Sequence, residues 1–452
     1  MIHEYIEKNK TEIVNTLKEL VKIPSVRSEA EDGAPFGKEC ARVLEYLQEL
    51  YRDNGIETEL DREGGYLLAH FGSGEKSLGL FAHADVVDVG NDWIYTRPFN
   101  PIEKDGCLVG RGVSDNKSAA VISLYCAKML KELEIPFNSR LVLFTGANEE
   151  TGMHDIENYL KKHTAPDFAL VADTAFPFYR GDKGSLQFIA ESETPLEEIC
   201  DFCGGKSINI TLGKASARIG GELIEKTGIS CHGALPEGSL NAGYLLAQTL
   251  SERDDICEND RNRMKFVSKL LEKYYGEIFG IESSDEIFGR LTCTNGTAET
   301  ADGKIKLSFD VRYGMNSDIE DIKNKIKNFF AENNWNVKFL CEKKPFLISE
   351  DNPYMKCCVK AYGEFCGVAN PPLYINAGAT YAGMLPCALE TGTDLTWRRP
   401  QGIPNGHGGA HQPDECIGIE GMLKALELIM NILMECDKCT DCIKQENAYI
   451  PL

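Results

Sequence analysis

Histidine and carboxylate side chains follow several apolar runs of the sequence, where they could hold metal ions. Parallel strands bring their carboxyl ends to one edge of a sheet, and ligands bind at that edge in such folds. Two histidines and three carboxylates make a ligand set that divalent zinc, manganese or cobalt accepts. The candidates are His83 after the run 78–82, Asp115 in a glycine-flanked turn, one of the adjacent Glu149 and Glu150 after 141–145, Asp173 after 168–172, and His411 after the glycine-rich stretch 402–409.

Each of these features also has an ordinary structural explanation. A His-x-Asp triplet is common on protein surfaces, an aspartate before a helix is a frequent N-cap, and adjacent glutamates are usually solvated charge. His83 and Asp85, however, share one face of a strand, where the carboxylate could fix the tautomer of the imidazole. Glu149 and Glu150 could take separate duties, one binding a metal ion and one moving protons.

Strands and helices alternate in the first part of the chain. Apolar spacing predicts helices over 4–22, 37–51, 118–133 and 155–162, and apolar runs predict strands over 66–71, 78–82, 141–145 and 168–172. The same texture returns from residue 352 and ends in a helix over 419–434. The pattern predicts an α/β fold, with a mainly parallel sheet and helices on both of its faces.

The middle of the chain has a different texture. Alternating apolar residues predict strands over 185–191, 207–212 and 304–312, with helices over 241–251 and 319–332. This mixture is typical of an α+β domain. We therefore predict an outer α/β domain made of residues 1–182 and 349–452, interrupted by an inserted α+β domain of residues 183–348.

Several motifs, in order along the chain, resemble a known enzyme family. They are His83-Ala84-Asp85-Val86-Val87, Trp93, Pro98-Phe99, Gly106 and Gly110-Arg111-Gly112-Val113-Ser114-Asp115-Asn116-Lys117. These segments resemble the two-metal exopeptidases and deacylases that include aminoacylase, glutamate carboxypeptidase and acetylornithine deacetylase. The large insert, the segment Ala379-Thr380-Tyr381-Ala382 and an aspartate at 173 are most similar to the bacterial peptidase V type of dipeptidase.

The resemblance implies a zinc-exopeptidase-like catalytic domain that holds two divalent metal ions bridged by Asp115. Zinc is the expected metal, with manganese or cobalt as alternatives. Asp85 would orient a histidine ligand, Glu149 would be the general base, and the peptide bond Asp115–Asn116 would be cis. The implied ligands are His83 and Asp173 for one ion, and Glu150 and His411 for the other.

The same resemblance makes the inserted domain a lid that supplies substrate-binding groups. His232 would reach across to stabilise the oxyanion. Arg312 ends a predicted strand, and its planar guanidinium suits the terminal carboxylate of a substrate. Asn295, Thr380 and Tyr381 are further candidates for polar contacts with substrate.

Two positions leave alternatives open. His407 lies four residues before His411 and could compete with it as the metal ligand. Pro413 and Glu415, however, place His411 better in the family motif. This branch of the family often has a basic residue soon after the Thr-Tyr pair, where this chain has Gly383, so the preferred substrate side chain stays open.

Composition excludes several other classes of protein. The chain has 452 residues, a net charge of −22 and no run of the ~18 apolar residues that a membrane helix needs. This acidity argues against binding nucleic acid or anionic lipid. The first residues carry charges throughout, unlike a secretory signal. The odd number of cysteines, 17, favours reduced thiols. We expect a soluble, cytoplasmic protein.

These observations predict a cytoplasmic metallopeptidase that hydrolyses dipeptides or small peptides with a free N-terminus. An N-acyl-amino-acid deacylase acting at the same site is the alternative. A catalytically silent binding protein would be favoured by a missing base or ligand, and none is missing. We expect a monomer, because a large lid could cover the site within one chain, with a homodimer as the alternative.

A cysteine run near the carboxyl end has the spacing of a zinc or iron–sulfur knuckle. It comprises Cys436, Cys439 and Cys442. The sequence offers no fourth nearby cysteine to complete a cluster motif. The sequence alone therefore leaves the role of this cysteine run open.

Overall fold

The computed structural model describes residues 1–439, so Cys442 lies outside the described residues. The α-helices are α1 Ile2–Val21, α2 Lys38–Asp53, α3 Lys117–Glu132, α4 His154–Lys162, α5 Ala242–Ser251, α6 Glu258–Leu271, α7 Ile319–Glu332, α8 Pro353–Cys366 and α9 Ile419–Asp437. Short 3-10 helices span Glu277–Phe279 and Tyr381–Met384.

The strands are β1 Glu57–Asp61, β2 Tyr66–Phe71, β3 Ser77–His83, β4 Ile102–Lys104, β5 Cys107–Val109, β6 Arg140–Gly146, β7 Phe168–Thr174, β8 Phe178–Asp182, β9 Gly184–Ser192, β10 Ile199–Gly204, β11 Lys214–Ile219, β12 Glu222–Thr227, β13 Ser284–Asp285, β14 Gly289–Arg290, β15 Thr292–Ala301, β16 Lys304–Tyr313, β17 Trp335–Lys343, β18 Phe346–Leu347, β19 Leu373–Asn376, β20 Ala388–Gly392 and β21 Cys416–Gly418.

Two compact units account for the chain. Of the described residues, the first comprises Met1–Gly181, Leu347–Tyr374 and those from Thr380 to 439, and the second comprises Asp182–Phe346 and Ile375–Ala379. The second unit therefore interrupts the first twice. Among residues 1–439, no helix combines the length and the apolar character needed to cross a membrane.

The first unit is built on a sheet whose strands run in the order β1-β2-β6-β3-β7-β20-β8. The four central strands, β6, β3, β7 and β20, are parallel, whereas β1, β2 and β8 pair antiparallel with their neighbours. Every residue of β3 is buried. A strand buried on both faces needs cover on both sides, which α/β folds supply with helices. The predicted α/β fold class is confirmed.

The second unit is an antiparallel sheet packed against helices. Its strands run in the order β12-β11-β10-β15-β16-β9-β17. Phe188 and Phe309 from the sheet join Leu246, Val267 and Phe330 from α5, α6 and α7 in one buried cluster. This is the α+β texture expected of the inserted domain.

The predicted strand over 207–212 is wrong. Ser-Ile-Asn-Ile-Thr-Leu alternates as a strand does, but Ile210 is 43% exposed and forms only an isolated bridge with His232. The amide of Ile210 donates to the carbonyl of Ser207, so the chain turns there. Alternation indicates a strand only where one face is buried, and here it is not.

Candidate active site

The candidate site lies at the carboxyl ends of three neighbouring strands of the first unit. β3 ends at His83, β6 ends shortly before Glu149 and Glu150, and β7 carries Asp173 near its end. These strands are parallel neighbours in the order β6, β3, β7. Their ends therefore bring the four side chains to one edge of the sheet.

Asp115 lies between the two predicted histidine ligands. Its Oδ1 is 3.0 Å from Nε2 of His83, and its Oδ2 is 3.1 Å from Nε2 of His411. The same nitrogen of His83 is 3.4 Å from Oδ1 of Asp173, and that of His411 is 3.0 Å from Oε2 of Glu150. Asp115 is thus flanked by one histidine–acid pair on each side.

The peptide bond Asp115–Asn116 is cis, as the family resemblance implied. Asn116, rather than Asp115, is the N-cap residue of α3. Its side-chain amide donates to Oδ1 of Asp173 at 2.7 Å, and its side-chain oxygen accepts the amide of His83 at 3.2 Å. Asn116 therefore ties the helix start to two of the strand ends that carry the site.

Asp85 joins the first histidine to the two glutamates. Its Oδ1 is 3.4 Å from Nδ1 of His83, and its backbone carbonyl is 3.0 Å from the same nitrogen. The two carboxylate oxygens also accept the amides of Glu149 and Glu150, each at 3.1 Å. These contacts leave Nε2 of His83 facing Asp115, as a ligand nitrogen should.

His411, not His407, faces the acidic side chains of the site. Nδ1 of His407 is 2.7 Å from Oδ2 of Asp414, which also accepts the amide of Ile94. His407 therefore helps to hold a loop. The hypothesis that it competes as a ligand has no support in this geometry.

Glu415 was not predicted as a site residue from the sequence, but it contacts the loop that carries Asp115. Its Oε1 accepts the backbone amides of Gly112, Ser114 and Asp115 at 2.9–3.1 Å, and its Oε2 accepts from Arg111 at 2.7 Å. Both members of this ion pair are buried. Glu415 therefore ties the loop that carries Asp115 to the segment that carries His411. The only sequence signal was its place in the motif.

Tyr381 and Thr380 are buried and have internal partners, although both were predicted to contact substrate. The hydroxyl of Tyr381 donates to Oδ2 of Asp155 at 2.6 Å, and the same oxygen accepts the amide of Asn148. The hydroxyl of Thr380 donates to Glu390 at 2.6 Å. Because both hydroxyls are buried and have partners within the protein, the structure does not support their direct contact with substrate. Tyr381 and Asp155 instead hold the loop that leads to the two glutamates.

The acidic side chains of the cluster are buried close to one another, and this shifts the pKa values of the site. Burial alone would lower the pKa of His411, but hydrogen bonds to Asp115 and Glu150 raise it to about 11. Burial, and then repulsion by Asp115, raises the pKa of Glu150 to about 7. Burial, and then repulsion by Asp173, raises the pKa of Glu149 well above its usual value. A positive charge among these groups would relieve the repulsion.

The side chains present fit divalent cations. Two groups of potential ligand atoms, each mutually within 4.8 Å, are His83 with Glu149 and Asp173, and His83 with Asp115 and Glu150. Oε1 of Glu150 is buried and has no hydrogen-bond partner among the described residues. Nitrogen and carboxylate oxygen donors suit zinc, manganese and cobalt. Because Glu149 also qualifies as a ligand by distance, its role as base stays a prediction.

The candidate residues of the second unit are held by partners within that unit. Arg312 donates to Oδ2 of Asp310 at 2.7 Å and to the carbonyl of Ala377 at 3.2 Å. Asn295 is buried, and its amide donates to two backbone carbonyls. The burial of Asn295 does not support its predicted contact with substrate. His232 is exposed, and its Nδ1 accepts the amide of Ala234 at 3.3 Å.

The chain is similar to several known proteins over nearly its whole length. Putative dipeptidase YtjP of Bacillus subtilis (strain 168) is 26% identical over 474 aligned positions, which cover 95% of this chain and 98% of YtjP. Human carnosine dipeptidase 1 has the same fold, with a TM-score of 0.63 at 16% identity over 96% of this chain and 98% of that one. Bacillus subtilis YxeP, described as a dinuclear metal binding peptidase, gives a TM-score of 0.54 at 11% identity over 94% and 98% of the two chains.

A family model also spans the whole candidate site. The model of peptidase family M20/M25/M40 matches residues 79–435, a span that contains every side chain of the cluster around Asp115. The chain therefore belongs to peptidase family M20/M25/M40 and is a metallopeptidase.

Proposed function

We propose that this metallopeptidase hydrolyses dipeptides, or small peptides with a free N-terminus. The observation that supports the proposal is the arrangement around Asp115, with a histidine–acid pair on each side and Glu149 in the same cluster. The dipeptidase names of YtjP and of the human structural neighbour add support for the substrate class.

The cofactor in this proposal is a pair of divalent ions, with zinc first and manganese or cobalt as alternatives. Asp115 would be shared by both ions. Bound there, the two cations would acidify a water molecule and polarise the carbonyl of the substrate. The proposed ligands are His83 and Asp173 for one ion, and Glu150 and His411 for the other. The description of YxeP as dinuclear is consistent with this stoichiometry.

The protein side chains would carry out the remaining steps. Glu149 would accept a proton from the attacking water and pass it to the leaving nitrogen, which completes hydrolysis to a carboxylate and an amine. His232 would donate a hydrogen bond to the carbonyl oxygen as it gains negative charge. Arg312, oriented by Asp310, would bind the carboxylate of the substrate.

We extend the proposal to organisation and compartment. Residues 1–182 and 349–452 would form the catalytic domain, residues 183–348 the lid, and the enzyme would act as a monomer. A reducing cytoplasm suits the cysteines, because no disulfide bond joins any of those in the described part of the chain.

Amine release from a substrate panel tests the proposal. Metal-stripped protein, supplemented with zinc, manganese or cobalt, is assayed with free dipeptides, matched N-acetyl amino acids and N-blocked dipeptides. We expect metal-dependent cleavage of the free dipeptides only, lost in Glu149→Ala. Turnover of the acetylated compounds instead would make the enzyme a deacylase. No metal-dependent turnover would contradict the proposal altogether.

A further inference from the structure

Four cysteines from distant parts of the sequence meet at the end of α9. Cys357 and Cys358 are consecutive in α8, Cys436 lies in the last turn of α9, and Cys439 follows that helix. The Sγ atoms of Cys358 and Cys436 are 3.9 Å apart. The thiol of Cys357 makes hydrogen-bonding contacts with those of Cys436 and Cys439. In the fold, Cys357 and Cys358 thus lie beside Cys436 and Cys439, which have no further cysteine partner close to them in the described sequence.

The backbone that carries two of these thiols is held in place from the sheet. Nζ of Lys76 donates to the carbonyls of Cys436, Asp437 and Cys439 at 3.2, 2.6 and 3.1 Å. The carboxylate of Asp437 accepts the amide and the hydroxyl of Ser139 at 2.7 and 2.6 Å. A turn fixed in this way needs little further ordering to bind a ligand.

The cysteine cluster is at the opposite end of β3 from the candidate active site. Lys76 directly precedes the first residue of β3, and His83 is its last. Seven residues of strand span roughly 20 Å. The cysteines are therefore not part of the histidine–carboxylate cluster.

The distance between the sulfur atoms of Cys358 and Cys436 is that of two ligands of one metal ion and is too long for a disulfide bond. Four sulfur ligands at about 2.3 Å from zinc in a tetrahedron lie about 3.8 Å from one another, whereas a disulfide bond is about 2.05 Å long. The 3.9 Å between Cys358 and Cys436 matches the tetrahedral edge. Both of these cysteines are buried, at 0% and 1% exposure. Thiolates are the ligands that soft and borderline ions select.

We propose that Cys357, Cys358, Cys436 and Cys439 form a site for one thiophilic ion of the zinc class, which joins α8 to α9. The sulfurs contact one another as an open chain, from Cys439 through Cys357 and Cys436 to Cys358. Among the described residues, the groups of three or more ligand atoms mutually within 4.8 Å are those of the active site. Binding would therefore include rotation of the end thiols towards the ion, with release of their protons.

Cobalt is a suitable probe, because sulfur-to-cobalt charge-transfer absorption arises from thiolate ligands and not from imidazole or carboxylate. The metal-stripped full chain is titrated with Co²⁺ under reducing conditions. We expect the absorption to appear in the unaltered chain and to disappear on addition of zinc. In Asp115→Asn, which lacks the proposed catalytic ions, it should persist and saturate at one equivalent. Persistence in that variant separates this site from the proposed catalytic ions.

Variants decide which residues hold the ion. The absorption should be lost in the double variant Cys358→Ser with Cys436→Ser, and also in Cys357→Ser with Cys439→Ser, whose side chains are only partly buried. Cys366→Ser, in the last position of α8, is the matched control and should retain it. Absence of the absorption in the unaltered chain, or its survival in both double variants, would overturn the proposal. So would a disulfide between Cys358 and Cys436 that forms quantitatively in the presence of zinc.

Discussion

At the scale of the residue, the site depends on how two oxygens of one carboxylate are directed. Oδ1 of Asp115 faces His83 and Oδ2 faces His411, so the single side chain could serve both ions. Glu149 occupies the same cluster but is proposed to move protons. Substitutions at Asp115 and Glu149 should therefore impair different properties of the enzyme.

Glu149→Gln should lower kcat by about 10²–10⁴-fold, because the amide cannot accept the proton of the attacking water. Its metal content should equal that of the unaltered enzyme. Asp115→Asn, by contrast, should lose both activity and the ions of the active site. Steady-state kinetics together with elemental analysis of the dialysed proteins distinguish the two outcomes. Loss of metal from Glu149→Gln would show that Glu149 is a ligand rather than the base.

Metal binding should weaken as the pH falls. The pKa of His411 is raised to about 11 and that of Glu150 to about 7, so in the metal-stripped protein both groups hold protons that an ion must displace. Each proton released makes the affinity rise with pH. Isothermal titration with Mn²⁺ in buffers from about pH 6 to about pH 8 should show tighter binding and proton release at the higher pH. An affinity that is constant over this range would contradict the assignment of these two ligands.

At the scale of the element, the loop that carries Asp115 is positioned by a residue 300 positions away in the sequence. Glu415 accepts three backbone amides of that loop and pairs with Arg111. Both charges are buried, so either one without the other would be costly. Strand ends and turns place Asp115 near the site, and Glu415 fixes its direction.

Glu415→Gln should lower metal affinity by about 10–100-fold, because the support of the loop is weakened. It should also lower the free energy of unfolding by about 3 kcal/mol, because Arg111 is left buried without a carboxylate partner. Thermal unfolding and metal titration measure both effects. Glu420→Gln, the same change at an exposed residue in the first turn of α9, is the control and should leave both properties unchanged. Equal behaviour of the two variants would show that Glu415 does not support the loop that carries Asp115.

The elements differ in how far the sequence predicted them. Strand 66–71 was predicted from an apolar run and helix 319–332 from apolar spacing, and both have the bounds that the structure gives them. The segment 207–212 alternates as a strand does but has no face to bury. The pairing of Glu415 with Arg111, and that of Tyr381 with Asp155, join residues hundreds of positions apart. No local pattern contains such contacts. They had to be read from the fold.

At the scale of the whole molecule, the chain divides its candidate residues between two units. The first contains the histidine–carboxylate cluster, and the second contains His232 and Arg312. The alternation of strands and helices predicted the α/β class, and the order of motifs along the sequence predicted the family. Neither could predict that Asn295 and Tyr381 are buried, since burial depends on packing within each unit.

Arg312→Lys should raise KM for free dipeptides while changing kcat little, because lysine keeps the charge beside Asp310 but loses the planar fork that suits a carboxylate. The measurement is the KM of a dipeptide compared with that of its C-terminal amide. The variant should differ from the unaltered enzyme with the free carboxylate only. Arg218→Lys, in an exposed part of β11, is the matched control. A rise in KM for both substrates would show that Arg312 does not bind the carboxylate.

The central claim is that Asp115 is shared by two ions, and a crystal structure of the Mn²⁺-loaded enzyme tests it most directly. Manganese prefers oxygen and imidazole ligands to thiolates, so its anomalous signal would report this site and not the cysteines. We predict two anomalous peaks, one beside His83 and Asp173 and one beside Glu150 and His411, each in contact with one oxygen of Asp115. A single peak, or two peaks that leave Asp115 without a metal contact, would contradict the account.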